Sequence, residues 1–354
     1  MRPEEFIISC LKKTKTKLVA TLPCEKVSSL LEAISENFDH VPLTREEEGV
    51  GVCAGAYLAE ARGAMLVQSS GVGNMINALC SLTRIYSMPL PILVSWRGVY
   101  REGILAQEPM GKYLPKLARA LDIPWAEIKR KKDLPLVRES LESAYKNEEL
   151  QLILLNPRIW GDVRTEEIQG KTAKTPLKFT GRPLEADLTR YEVLEAASSY
   201  LDGKAVVCNL GVPCKELYRV KDQPSNFYML GSMGMATPIG LGMAMYAEKE
   251  VVVIDGDGSL LMNPGVLATV AEHSPKNLTI LAIDNAAYGS TGNQSTATAE
   301  VVDLQMLARA FGIKRTYKVA GKDEIKSVLP QLGRGPNFIH IVAKAGNAPM
   351  PNIP

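Results

Sequence analysis

The segment Ile254-Asp255-Gly256-Asp257-Gly258-Ser259 constrains this chain more than any other. Val251 to Ile254 form a short apolar run of the kind that fills a buried parallel strand, and the glycines after it let the backbone turn close to an anion. Asp257 then stands at the carboxyl end of the strand. A second apolar run, Leu278 to Ile283, ends in Asp284-Asn285. A carboxylate and an amide oxygen therefore project from two strand ends into one crevice, the place where open α/β sheets bind ligands. Hard oxygen donors of this kind, with diphosphate oxygens completing an octahedron, suit Mg²⁺, which seldom has an all-protein cage. The Gly-Asp-Gly tripeptide alone is also what a plain strand-to-turn junction uses.

Composition narrows the class of ligand. With 354 residues, 46% hydrophobic and 23% charged, the chain is globular and long enough for two cores. A net charge of +2, from 41 basic and 39 acidic residues, gives no long-range field to attract nucleic acid or a membrane surface. A small molecule is the expected partner. No apolar run has the length to cross a bilayer, and the start, Met1-Arg2-Pro3-Glu4-Glu5, lacks the apolar core of a signal peptide, so a cytoplasmic protein is expected. Six cysteines without a Cys-x-x-Cys pair, several in apolar surroundings such as Val52-Cys53-Ala54, read as reduced, buried thiols. None of the three histidines, His40, His273 and His340, pairs at metal-ligand spacing with another His or Cys, which argues against zinc.

Strand-like runs at 17–21, 64–68, 91–95 and 151–155 alternate with helical patterns at 25–36, 46–61, 74–85 and 134–145. Such βαβ alternation predicts a parallel sheet. From Gly161 to Pro183 the texture turns polar and charged without an apolar period, which reads as a linker. Alternation then resumes, with helices near 192–200, 237–247 and 304–311 and strands at 205–208 and 338–342 beside the two motif strands. The expectation is two α/β domains of similar size.

Asp257, its flanking glycines and Asn285 resemble the fingerprint of the thiamine diphosphate-dependent enzymes, in which Gly-Asp-Gly is followed at this distance by Asn-Asn. One departure is visible: Asp284 stands where the first Asn is usual. The resemblance implies that Asp257, Asn285 and the main-chain carbonyl of Ala287 ligate Mg²⁺, with Gly256, Gly258 and Ser259 against the diphosphate. Enzymes of this family build their site from a pyrimidine-binding and a diphosphate-binding domain of like topology, so a second carboxylate should lie upstream. The stretch Thr44 to Tyr57 offers Glu46, Glu47 and Glu48. Read from the residues alone, they are an acidic first turn that favours the helix dipole. The resemblance selects Glu47, counted from the small residue Gly49 and the aromatic Tyr57; Glu46 and Glu48 then point to other faces and are expected to be solvated.

Further stretches, Gln68 to Asn74, Ser95-Trp96-Arg97-Gly98, Gly231-Ser232-Met233-Gly234 and Tyr288 to Gln294, look like the sulfopyruvate decarboxylases and their close relatives the phosphonopyruvate decarboxylases. The likeness runs end to end. It implies a pyrimidine-binding, alpha-like domain at 1–165, a linker at 166–183 and a diphosphate-binding, beta-like domain at 184–354, fused in one chain without the central domain of larger relatives. Gly71-Val72-Gly73 reads equally as a strand-to-helix turn or, with Ser69, Ser70 and Asn74, as a set of donors for a polar ligand. Met233 alone reads as core; the resemblance places it beneath the cofactor, between Gly231-Ser232 and Gly234. Arg97, at the carboxyl end of an apolar run, is the first candidate for the substrate's anionic tail, with Lys112 and Arg45 in reserve.

The resemblance implies a decarboxylase in which Glu47 hydrogen-bonds the aminopyrimidine ring and promotes loss of the thiazolium C2 proton. It implies 3-sulfopyruvate as substrate and sulfoacetaldehyde and CO₂ as products, on the route to coenzyme M. It also implies at least a homodimer with sites between subunits. A phosphonopyruvate decarboxylase is the neighbouring alternative. A nicotinamide or flavin enzyme would need Gly-x-Gly-x-x-Gly after its first strand, which does not occur. A non-catalytic binding or regulatory protein on the same scaffold would be expected to have lost Glu47, Asp257 or Asn285.

Overall fold

A computed structural model describes residues 2–160, 184–289 and 293–353. The chain divides into two compact units, residues 1–174 and 175–354. The expected linker at 166–183 lies outside the described residues.

In the first unit, strands β1 (Thr16–Thr21), β2 (Asp39–Pro42), β3 (Arg62–Gln68), β4 (Leu90–Ser95), β5 (Trp125–Ile128) and β6 (Leu150–Leu155) form one sheet in the order β2-β1-β3-β4-β6-β5. Every pairing is parallel. The inner strands β4 and β6 are buried along their whole length, as expected for strands covered on both faces. Leu11, Leu30, Ile34, Leu93 and Ile153 are among the residues that close the core on one side.

The second unit contains β7 (Ala205–Cys208), β8 (Asn226–Tyr228), β9 (Val251–Gly256), β10 (Leu278–Asp284), a two-stranded ribbon of β11 (Ala287–Tyr288) and β12 (Gln294–Ser295), then β13 (Arg315–Val319) and β14 (Asn337–Val342). Its main sheet is again wholly parallel, in the order β13-β14-β10-β9-β7-β8. Counting the sheet strands of each unit from its own start, both orders read 2-1-3-4-6-5. The two domains of like topology are therefore observed as two copies of one winding.

The four central runs of the first unit and the motif strands of the second were legible as apolar stretches. The edge strands β2, β5, β8 and β13 were not, because they are short, mostly half-buried, and carry polar residues that break the run. The expected helix at 74–85 is also interrupted. It is a helical turn at Ile76–Ala78 followed by π-helical Leu79–Thr83. Among the described residues, no helix is long and apolar enough to cross a membrane.

Candidate active site

In the second unit, the chain leaves β7 towards β8 on one side and towards β9 on the other, so its connections diverge between β7 and β9. A doubly wound sheet opens a crevice at such a point, outside the carboxyl ends of the strands. Asn209 follows β7 there, and Gly256, the last residue of β9, leads into Asp257 to Ser259; all line a cavity of about 140 Å³ together with Met233, Asn285 and Tyr288.

Asp257 begins the helix Asp257–Met262 and is 3% exposed. Its two carboxylate oxygens have different surroundings. Oδ2 accepts a hydrogen bond from Thr296 Oγ1 at 2.5 Å, and Thr298 Oγ1, whose single proton is closer to Asp284, lies 3.3 Å away. Oδ1 faces the end of the Asn285 side chain, whose inward amide atom lies 3.3 Å from it and 2.9 Å from the Ala287 carbonyl oxygen. With its NH₂ turned inward, Asn285 donates to both; with its oxygen turned inward, three oxygens share one face. Burial pushes the Asp257 carboxyl up, Thr296 opposes this, and the nearby Asp284 charge adds to it. Among the described residues, no three His, Cys, Asp or Glu side chains gather as a metal cage. The acceptor face at Asp257 is instead mixed, with one carboxylate, one amide and one main-chain carbonyl.

The surrounding loops are tied to this face. A Cβ on Gly258 would lie 2.3 Å from Tyr288 Cε1, so the close approach of that ring requires glycine. Ser232 and Gly234 have left-handed backbones, with φ of 60° and 90°. The Gly234 N–H donates to Ser259 Oγ at 3.1 Å, which holds the Gly231–Gly234 loop over the helix start and leaves Met233 on the cavity wall. Asp255 is buried and turned away from solvent, accepting from Thr237 Oγ1 at 2.7 Å and from the Gly256 N–H at 3.0 Å. It shapes the turn.

In the first unit, helix Glu46–Leu58 carries all three glutamates in its first turn. Glu47 is 9% exposed, and burial pushes its carboxyl up, against a smaller opposing effect of Arg45, whose Nε lies 3.5 Å away. Glu46 and Glu48, expected to be solvated, are buried at 3% and 0% exposure. Each has found a polar partner: Glu46 Oε2 accepts from Asn74 Nδ2 at 3.0 Å, and Glu48 Oε2 accepts from the Thr44 N–H and hydroxyl at 3.1 and 2.9 Å. Gly71 packs directly on Glu46, where a Cβ would lie 2.5 Å from its Oε1. Asn74 is thus engaged with Glu46, while Ser70 is half-buried at the start of helix Ser69–Asn74.

Arg97, expected to meet the substrate's anionic tail, has a protein partner. The residue is buried and its guanidinium grips Glu102, with Nε and Nη2 each 2.6 Å from a carboxylate oxygen. Glu102 takes two of its five N–H donors, and Nη1 lies 3.8 Å from Cys24 Sγ, so the residue stands as half of a buried ion pair and not as a free cation. Lys112 lies on an exposed face of helix Glu108–Ala120 and pairs with Glu108 at 2.9 Å.

Residues 1–116 match the family model described as thiamine pyrophosphate enzyme, N-terminal TPP binding domain, and residues 209–341 match the C-terminal TPP binding domain. A sulfopyruvate decarboxylase of Methanosarcina acetivorans is 44% identical over 100% of this chain and 94% of its own length. The chain belongs to the thiamine diphosphate-dependent decarboxylase family. A phosphonopyruvate decarboxylase of Streptomyces viridochromogenes is 33% identical over 93% of this chain and 85% of its own. Half-length members of the family match as well: a sulfopyruvate decarboxylase subunit beta of Methanothermobacter thermautotrophicus, 46% identical over 47% of this chain and 88% of its own, and a subunit alpha of Methanococcus maripaludis, 36% identical over 45% and 98%. Among solved structures, benzoylformate decarboxylase from Polynucleobacter necessarius shares the fold, with a TM-score of 0.78 over 99% of this chain and 100% of that one at 13% identity.

Against this family the structure adds residues that sequence reading missed. Thr296 and Thr298 meet Asp257, His340 meets Asp284, and Arg190, paired with Glu216 at 2.6 Å, lines the same cavity. The signal for the threonines was a Thr-Ala-Thr following the ribbon, which has no signature of its own.

Proposed function

We propose that this chain catalyses the thiamine diphosphate- and Mg²⁺-dependent decarboxylation of 3-sulfopyruvate to sulfoacetaldehyde and CO₂. The observation that carries the reading is the convergence of the Asp257 carboxylate, the Asn285 amide and the Ala287 carbonyl in a chain matched end to end by a sulfopyruvate decarboxylase. The Asn285 NH₂ bridges Asp257 Oδ1 and the Ala287 carbonyl oxygen, and turning its amide over would set three oxygens on one point; that donor set suits Mg²⁺ that completes its shell with phosphate oxygens and water. Asp257 is the charged ligand, Asn285 and the Ala287 carbonyl the neutral ones. Gly256, Gly258 and Ser259 wall the diphosphate end, with Gly231, Ser232 and Met233 on the opposite loop.

Thiamine diphosphate supplies the electron sink that a 2-oxo acid needs to lose CO₂. The protein's part is to bind, orient and manage protons. Glu47, shielded from water and with its carboxyl pushed up, suits a hydrogen bond at a pyrimidine nitrogen. Gly71 packs on the buried Glu46, and Ser70 precedes it as a further donor for the cofactor. A role in coenzyme M formation, a cytoplasmic location and an assembly of at least two copies belong to the same reading.

Two measurements test it. Mass spectrometry of the purified protein's acid-released ligands should find thiamine diphosphate, and its absence after reconstitution with Mg²⁺ would refute the cofactor assignment. Comparing turnover of 3-sulfopyruvate, 3-phosphonopyruvate and pyruvate decides the substrate. The 33% identity to a phosphonopyruvate decarboxylase favours the second as the alternative. Preference for it would move the substrate and leave the decarboxylase standing.

A further inference from the structure

Asp284, the one departure from the Asn-Asn pattern, is the centre of a polar cluster that reaches the proposed metal carboxylate. Its Oδ2 accepts from His340 Nε2 at 2.8 Å, with the imidazole oriented by the Gln305 N–H, which donates to Nδ1 at 3.3 Å. Its Oδ1 accepts from the Ala286 N–H at 3.0 Å and from Thr298 Oγ1 at 2.7 Å. Thr298 Oγ1 lies 2.8 Å from Thr296 Oγ1, and both hydroxyls reach Asp257 Oδ2. A carboxylate can accept on two oxygens at once, whereas an asparagine offers one acceptor oxygen and an NH₂. The His340 donor therefore suits Asp at 284.

The ribbon makes this possible. Ala287 pairs with Ser295, and the Thr296 N–H donates to the Ala286 carbonyl at 3.1 Å, so the chain after Asn285 folds back and sets both threonines beside Asp257. Asp257 Oδ2 is thereby capped by hydroxyls while Oδ1 keeps facing Asn285.

We propose that Thr296 and Thr298, held through Asp284 and His340, are positioning residues that fix Asp257 so that only Oδ1 is presented to the divalent cation. This rests on the metal reading above. Partners of a metal-ligating carboxylate typically change metal affinity 10–100-fold when removed. They restrict the ligand's rotation and lower the entropy lost when the cation binds.

The test is titration of Mn²⁺ into the full-length protein with thiamine diphosphate present, read by the electron paramagnetic resonance signal of the free ion. The Thr296→Val/Thr298→Val variant should bind Mn²⁺ roughly 10-fold or more weakly, while Thr296→Ser/Thr298→Ser, which restores the hydroxyls, keeps the parent affinity. Asp257→Ala should lose tight binding altogether. Parent affinity in the valine pair beside lost affinity in Asp257→Ala would overturn the positioning role and leave the metal site intact. Parent affinity in Asp257→Ala would remove the metal reading and this inference with it. Should the valine pair fail to fold, Thr298→Val alone carries the test, since Thr298 is half-buried between Asp284 and Asp257 and its loss should still weaken binding severalfold; an unchanged affinity there overturns the proposal.

Discussion

Arg97 and Glu102 face each other across two hydrogen bonds of 2.6 Å, with both side chains 5% exposed. The carboxylate also accepts from the N–H groups of Gly98 and Ile104, so the pair closes the loop that follows β4. Removing one member of such a pair strands the other charge. Arg97→Ala should cost roughly 3–5 kcal/mol of stability, and the Arg97→Ala/Glu102→Ala double variant should recover part of it. Chemical denaturation of the three proteins measures this. A stable Arg97→Ala protein with a selectively raised KM for 3-sulfopyruvate would instead return Arg97 to the substrate.

The same pair sets a pH dependence. The Arg97 hydrogen bond, with help from the two backbone donors, holds the Glu102 carboxyl down at about 2 from its ordinary 4.5. Because the folded state resists protonation more than the unfolded one, this contribution is complete above about 4.5 and fades as pH falls towards 2. Melting temperatures of the parent and Glu102→Gln, recorded from neutral to acid, should converge across that window. Parallel curves would show that the pair is not what titrates.

Glu47→Gln should fold and bind cofactor yet lose proton activation. Exchange of the bound cofactor's C2 proton for deuterium, followed by NMR, is expected to slow by roughly 100-fold or more. Exchange at the parent rate would hand the task to another group.

Gly258→Ala adds a methyl where Tyr288 Cε1 would be 2.3 Å away, so either the ring or the start of helix Asp257–Met262 must move. Cofactor affinity measured by calorimetry should fall while the melting temperature changes little, because the clash sits at the cavity wall rather than in the core. Unchanged affinity would show that the Tyr288 ring swings out freely.

The parts of the fold legible in the sequence were those whose physics is local. An apolar run such as Leu278 to Ile283 announces a buried strand, and a glycine pair around Asp257 announces a turn at its end. Long-range partnerships left no trace. Asn74 meets Glu46 across 28 residues, and Thr296 meets Asp257 across 39, so nothing near Glu46 in the chain signalled that it would be buried. The partner of Arg97 was unreadable for a related reason. Its partner Glu102 lies only five residues on, but in a loop without periodicity an acid at that distance carries no indication of whether it faces the arginine.

The three adjacent acids of helix Glu46–Leu58 are not interchangeable spares. Successive side chains on a helix are set about 100° apart, and here Glu46 serves Asn74, Glu48 serves Thr44, and Glu47 alone has neither neighbour. Under the role proposed for Glu47, a strain that has lost it cannot regain function by drafting the acid next door, since Glu46 and Glu48 point to other faces of the helix and are held there by Asn74 and Thr44. A suppressor screen on Glu47→Gln should accordingly return true revertants at codon 47, and insertions that shift the helix start by one residue should be lethal to activity even though the acidic triplet survives intact.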